Sequence, residues 1–332
     1  MIVALAGGVG GARLANGLAA ILPPGDLLVA VNTGDDFEHM GLTICPDIDT
    51  VTYTLAGLND EVRGWGIKDE TWSFMDTIKK LGGPDWFALG DRDLAKHVLR
   101  TERLRNGESL TAITRDFAKA CGIAQAIVPM SDDPVRSIVE TDQGPLPFQD
   151  YFVRLACEPA FRGIRYQGTE SARPSPALIA ALADPALEAI IICPSNPILS
   201  IGPILAVAGI AQALRGSAAP CIAISPFIGG EAVKGPAAKI MRELGIEPGA
   251  AALVAPYAGL VDAILCDSDD PDVGTTIHGI RIIATDTLMR GSSGQQRLAR
   301  EALALAALWR KCPKSPRIRL RQAFRRAPDG PQ

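Results

Sequence analysis

The chain has 332 residues, 47% of them apolar, a formal net charge of −4 and a sequence pI of about 5.5. That apolar share excludes a disordered chain, and the acidic balance excludes a broad nucleic-acid-binding surface. The length suits one large domain or two modest ones.

Short, nearly continuous apolar runs bounded by Gly, Pro and Asp read as strands buried on both faces: residues 2–6, 27–32, 189–195, 220–226, 262–267 and 280–285. Helical patterns occupy 11–21, 94–105, 109–122, 175–184, 203–215, 235–244 and 292–309. Strands alternating with helices predict an α/β fold, a Rossmann-like parallel sheet with helices on both faces. Strand runs are scarce between 51 and 165, where Trp65, Trp72 and Trp86 cluster. The expected organisation is therefore a discontinuous nucleotide-binding core, 1–50 plus 166–309, with a mostly helical insertion or lid, 51–165. Residues 310–332 hold eight Lys or Arg against one Asp and read as a basic, solvated, disordered tail. Seven scattered cysteines without a CxxC fit reduced thiols. With no basic leader before the first apolar run and no bilayer-length apolar stretch, a cytoplasmic protein without a membrane or nucleic-acid partner is expected.

The chemistry concentrates at the ends of these runs. LAGGVGGARLANGL (5–18) places Gly7, Gly8, Gly10 and Gly11 between a strand and a helix, with Arg13 following. Exposed amides and a helix N-terminus hold anions, so this turn reads as a phosphate site. It is not a Walker loop and matches the dinucleotide fingerprint loosely. So much glycine asks what must approach the main chain more closely than a Cβ allows. The second strand ends in Asp35 and Asp36, and Asp47 and Asp49 follow before a helix. Four carboxylates on neighbouring loops suit a hard divalent cation such as Mg2+, with Asp35, Asp36 and Asp49 as ligands. One of the four is expected to be only a helix cap. In LGDRDLAKHVLR (89–100), Asp91 is a candidate cap or ligand-binding residue, Arg92 suits an oxyanion, and His97 lies four residues after Asp93. PSNPILSIGPIL (194–205) offers Ser195, Asn196, Ser200 and Gly202 to phosphates or a base edge, and SPFIGGEAVKGPAAK (225–239) offers Lys234. No GxSxG or HExxH occurs, which leaves serine hydrolase and zinc protease readings without support.

Taken in order, GGVGGARLANGL, NTGDDFEHMGLTICPDIDT, RGWGIKDETW, LGDRDLAKHVLR, PMSDDPV, PSNPILSIGPIL and SPFIGGEAVKGPAAK closely resemble the CofD family, whose bacterial branch is named FbiA. The resemblance covers residues 1 to about 290. It implies a Mg2+-dependent transferase of coenzyme F-420 biosynthesis, usually a homodimer. The donor would be a three-carbon acid linked to GDP: phospholactyl, phosphoenolpyruvyl or phosphoglyceryl. The acceptor would be the terminal ribityl hydroxyl of the deazaflavin Fo, and GMP would leave. Within that scheme Asp36 or Asp49 orients the hydroxyl and Arg92 steadies the phosphoryl charge. The tryptophans offer the flat ring an apolar wall. A second class is a YvcK/GlmR-like regulator that binds a nucleotide-sugar without turnover, since that family also opens with a glycine-rich strand–turn. A third, an ordinary Rossmann oxidoreductase, is weakened by the second acidic pair.

Overall fold

A computed structural model of the chain describes residues 1–232 and 235–311. Lys234, expected at a phosphate, and residues 312–332 of the basic tail lie outside the described residues. In chain order the elements begin with β1 (Ile2–Ala6), α1 (Gly8–Ile21), β2 (Leu27–Val31), the hairpin β3 (Phe37–His39) and β4 (Leu42–Ile44), and α2 (Pro46–Leu55). Next come α3 (Ser73–Lys80), α4 (Asp91–Arg105), α5 (Leu110–Ala120), β5 (Ala126–Pro129), β6 (Arg136–Thr141), β7 (Gly144–Pro147), β8 (Phe161–Gln167), α6 (Pro176–Ala183) and β9 (Ala189–Ile192). The chain continues through α7 (Gly202–Ala206), α8 (Ile210–Gly216), β10 (Cys221–Ile224), β11 (Phe227–Ile228), β12 (Glu231–Ala232) and α9 (Ala237–Glu243). It closes with β13 (Ala263–Cys266), β14 (Thr276–Ile277), β15 (Ile280–Ala284) and α10 (Gly291–Lys311).

Eight strands form the main sheet in the order β14-β15-β13-β10-β9-β1-β2-β5, parallel throughout except for the β14–β15 edge. Alternate side chains serve opposite faces. In β1, Val3 and Leu5 pack with Leu28, Ile190 and Ile192, while Ile2, Ala4 and Ala6 pack with Leu14, Leu18 and Leu298 on the other side. Burial on both faces explains why every core strand reads as an unbroken apolar run. From β1 the chain moves to β2 and β5 on one side and later returns to β9 on the other. That reversal opens a crevice at the carboxyl ends of β1 and β9, where open α/β sheets take ligands.

Between 51 and 165 the helices α3, α4 and α5 appear where helix was expected, but the same stretch also carries sheet. Strand β5 pairs with β2 at the edge of the main sheet, and β6, β7 and β8 form a separate three-stranded antiparallel sheet. β6 buries only every second residue, and β7 (GPLP) carries two prolines. Half-solvated strands lack the continuous apolar signal of the core. The helical pattern 203–215 is broken after Ala206: Val207 turns extended and ends α7, and Gly209, with a φ of +92°, precedes α8. The six cysteines among the described residues are free thiols. Among the described residues no single helix is long and apolar enough to cross a membrane.

Helix α1 lies between α2 and α10, and its small residues set the separation. A Cβ on Gly17 would sit 2.3 Å from the carbonyl oxygen of Gln295 in α10. Gly17→Ala must push the helices apart and should destabilise the chain by about 1–3 kcal/mol, the usual range for overpacking, read as a lowered midpoint in chemical denaturation.

Candidate active site

The four glycines after β1 answer mainly to the chain itself. A Cβ on Gly10 would lie 2.2 Å from the carbonyl oxygen of Pro194, one on Gly7 2.5 Å from Ser200 Cβ, and one on Gly11 2.6 Å from Ser195 Oγ. What approaches the main chain is thus the loop that leaves β9. Gly8 has a different reason, a φ of +53°. Ser195 locks the two loops together: its hydroxyl donates to the Gly7 carbonyl (2.9 Å) and accepts from the Gly7 N–H (3.2 Å). Asn196 follows and opens one wide helical turn, Pro197–Ile201. Its Oδ1 accepts from the N–H groups of Ile198 and Leu199 (2.9 and 3.0 Å), and its Nδ2 is buried without a partner.

The carboxylates divide into two groups. Asp47, in the first turn of α2, caps nothing in its own helix. Instead its Oδ1 accepts from the Gly8 N–H (2.7 Å), and its Oδ2 accepts from Asn32 Nδ2 (2.9 Å). Burial pushes its pKa up to about 6 against those two hydrogen bonds. Burial raises Asp36 to about 7, with Arg136 and a hydrogen bond from the Cys45 thiol opposing. Asp35 is also raised by burial, with the charges of Asp47 and Asp36 adding to the effect. The Oδ1 atoms of Asp35 and Asp36 are buried without hydrogen-bond partners. The cap expected among these four acids is absent, because α2 begins without a side-chain cap.

Asp49 belongs to the second group, a buried ion cluster between α2 and α4. Lys96 Nζ lies 2.6 Å from its Oδ1, and Arg100 grips both oxygens, Nη1 at 3.0 Å from Oδ2 and Nη2 on Oδ1. His97 Nδ1 is 3.7 Å from Oδ2, and His97 Nε2 is 3.3 Å from Asp93, which also accepts from the Tyr53 hydroxyl. Burial alone would raise Asp49, but Arg100, Lys96 and His97 together hold its carboxyl below the usual carboxylate range. One ligand atom each from Asp49, Asp93 and His97 lie within 4.8 Å of one another, close enough to share a cation. Lys96 and Arg100 already occupy Asp49, so a cation there would have to displace them. Lys96 and Arg100 were missed in the sequence. They sit three and seven residues after Asp93 on one helix, a spacing that puts them on one face and was the available signal.

A cavity of about 720 Å³ occupies the crevice. Its floor is the glycine loop, Gly7 to Gly10, with Asp35, Asp47, Ser195, Asn196 and Ser200. Arg13 lines it too and makes no ion pair among the described residues. One wall is Trp86 and Phe87, stacked edge-on with Phe37 and His39; another is Phe148 and Phe152, parallel at 5.3 Å. Arg63 and Trp65 reach in from the α2–α3 loop, while Thr287 closes the far side with a buried hydroxyl that has no partner. Gly11, Asp36, Asp49, His97 and Gly202 lie outside the cavity lining, as does Trp72. Gly202 packs on Tyr166. Asp91 accepts from Thr71 Oγ1 and from the N–H groups of Ser73 and Phe74, fastening the start of α3, and Arg92 donates to the Lys68 carbonyl.

Removing a charge should have opposite effects in the two groups. Asp49→Asn leaves Arg100 and Lys96 without their counter-ion and should cost about 3–5 kcal/mol in a denaturation experiment. Asp36 and Asp47 keep their protons in the folded chain at pH values where the unfolded chain has lost them. Without divalent cations, their contribution to stability should therefore fall as pH rises from about 4 to about 7 and then level off, seen as a declining melting temperature that Asp36→Asn flattens.

A profile described as "2-phospho-L-lactate transferase CofD" matches residues 2–280. The chain is 42% identical over 314 residues to a phosphoenolpyruvate transferase of Kitasatospora aureofaciens, covering 92% of this chain and 97% of that one. It is 39% identical over 307 residues to a 2-phospho-L-lactate transferase of Methanopyrus kandleri, again covering 92% and 97%. A crystal structure of a UPF0052 family member from Bacillus halodurans superposes with a TM-score of 0.59 at 14% identity, over 91% of this chain and 99% of that one, a likeness of fold. Matched by that profile and by full-length relatives, the chain belongs to the 2-phospho-L-lactate transferase CofD family.

Proposed function

We propose that the chain transfers a phosphorylated three-carbon acid from a GDP-linked donor to the terminal ribityl hydroxyl of the deazaflavin Fo, releasing GMP. The observation that carries this reading is a single cavity in which the glycine-loop amides, the unpartnered carboxylate oxygen of Asp35 and two aromatic walls converge. The full-length relatives named as transferases support it, and no comparable feature favours a nucleotide-sugar sensor.

Mg2+ fits the acidic floor. Asp35 leaves a buried oxygen without a partner, and Mg2+ takes one or two carboxylates together with phosphate oxygens. Asp35 would hold it, with Asp47 beside it on the cavity floor, while Asp36 lies outside that lining and Asp49 anchors α4. When bound, the ion would offset charge on the diphosphate and on the phosphoryl group in transfer.

The chain's own groups do the rest. The Gly8 amide, which Asp47 now fills at 2.7 Å, is the donor a phosphate oxygen would take over. Arg13 on α1 and the bare amide of Asn196 add donors on either side of it. The ring of Fo lies along an aromatic wall, Trp86 and Phe87 or Phe148 and Phe152, where offset and edge contacts favour a flat heterocycle. Asp47 then faces the hydroxyl. With a pKa of about 6 it accepts the hydroxyl proton near neutral pH as the oxygen bonds to the phosphorus nearer the three-carbon unit, and the bond to GMP breaks. The apolar walls, once the ring of Fo lies against them, limit the room for water in the place of the acceptor.

Mass spectrometry after incubation with Fo, Mg2+ and each candidate donor should show the phosphodiester of Fo and one equivalent of GMP. No product from any donor, together with tight binding of a UDP-sugar, would overturn the reading in favour of the sensor. Asp47→Asn keeps an acceptor for Gly8 but turns its own NH2 toward Asn32 Nδ2, so it should lower the unfolding midpoint and, in the folded fraction, lower kcat by about 10²–10⁴-fold; a folded variant with wild-type kcat would remove Asp47 as the base.

A further inference from the structure

The α2–α3 loop is organised before any ligand arrives. Asp60 accepts from the N–H groups of Val62 and Arg63 (2.9 and 2.8 Å), and its own N–H donates to the Gly66 carbonyl (3.1 Å). Arg63 closes the loop from within: Nε donates to Asp60 Oδ2 (2.9 Å) and Nη2 to the Ile67 carbonyl (2.8 Å). Its guanidinium lies over two indoles, 4.9 Å from the Trp72 ring and 5.4 Å from Trp65. Nη1 makes no hydrogen bond or ion pair among the described residues, and Arg63 lines the cavity together with Gly64 and Trp65. The molecule thus holds one guanidinium by Nε and Nη2 and leaves Nη1 unbonded on a residue that lines the cavity.

We propose that Arg63 is the specificity residue for the carboxylate of the three-carbon acid, an inference that rests on the transfer reading above. The donor carries two kinds of oxyanion, and the chain supplies two separate kinds of receptor. The phosphates are served by the glycine loop and by Arg13 on α1. Arg63 comes from a different element, and although Asp60 pairs with it at 2.9 Å, Nη1 keeps its N–H donors for a second anion. Because the side chain is already immobilised, little freedom is lost when the carboxylate docks. A carboxylate is common to the phospholactyl, phosphoenolpyruvyl and phosphoglyceryl donors, so such a contact accepts all three and rejects a GDP-linked alcohol or amide.

The test uses GDP linked to lactate and to enolpyruvate, each beside its carboxamide, with dissociation constants by calorimetry and kcat/KM with Fo. The wild-type chain should prefer each acid to its amide by about 10–10²-fold, the scale of a charge-assisted hydrogen bond. Arg63→Gln should bring that ratio close to one while leaving the affinity for GDP itself unchanged, and Arg63→Lys should fall between. An unchanged ratio in Arg63→Gln, or an equal loss for acid and amide as collapse of the loop would give, overturns the proposal. If Arg63→Gln does not fold, wild-type protein decides: equal binding of acid and amide overturns the proposal and a preference for the acid that Arg63→Lys reduces supports it. Failure of transfer from both acids counts against the proposed reaction, whereas the binding ratios judge Arg63 independently of turnover.

Discussion

The backbone at Gly10 approaches the carbonyl of Pro194 so closely that a Cβ would come within 2.2 Å of its oxygen, and the rest of the site depends on that contact. It ties the loop leaving β1 to the loop leaving β9, the two strands that flank the reversal of sheet order. Ser195 repeats the tie through both backbone groups of Gly7. With the two loops fixed, the amide of Gly8, the side chain of Asn196 and the carboxylates beyond β2 face one cavity from known directions. A pair of loops built this way is rigid because its glycines are already filled by protein on one side.

Charge is distributed around that cavity with a clear division of labour. Asp49 is surrounded by Arg100, Lys96 and His97 and is held ionised outside the cavity lining, and this cluster binds α4 to α2. Asp35, Asp36 and Asp47 are buried with too few partners, and their protons are correspondingly hard to remove. Groups whose environment disfavours their charge favour a nearby counter-charge, a feature that clusters at functional sites. The two acid groups stand two residues apart in sequence, Asp47 against Asp49, in the first turn of α2. Two residues turn about 200° around a helix axis, enough to send one carboxylate to the cavity and the other to the core.

Much of the fold was legible. Every strand of the parallel core but β5 was readable as a short apolar run, because strands covered on both faces leave no polar positions to confuse the pattern; β5, four residues at the sheet edge, was hidden in the stretch read as helical. The antiparallel β6–β7–β8 sheet was not, since its half-exposed strands mix Arg, Glu and Gln with apolar residues and contain Pro145 and Pro147. At the site, Gly7, Gly8, Gly10, Arg13, Asp35, Ser195, Asn196 and Ser200 were placed on the cavity by their position after predicted strands. Arg63, Phe148, Phe152 and Thr287 carried no comparable signal, because each reaches the cavity from a loop or turn far away in sequence.

The sequence by itself determined which segments become buried strands and helices, and which loops must lie at the carboxyl end of the sheet, for these follow from local periodicity and chain order. It also determined, through the family motifs, the chemistry to look for. Only the tertiary structure decided that three of the four glycines make room for protein rather than for ligand. It alone decided that Asp47 faces the cavity while Asp49 is neutralised by Arg100 and Lys96 about fifty residues away. Those outcomes depend on distances between residues remote in the chain, and a carboxylate's role is set by the charges and solvent around it, which no local pattern encodes.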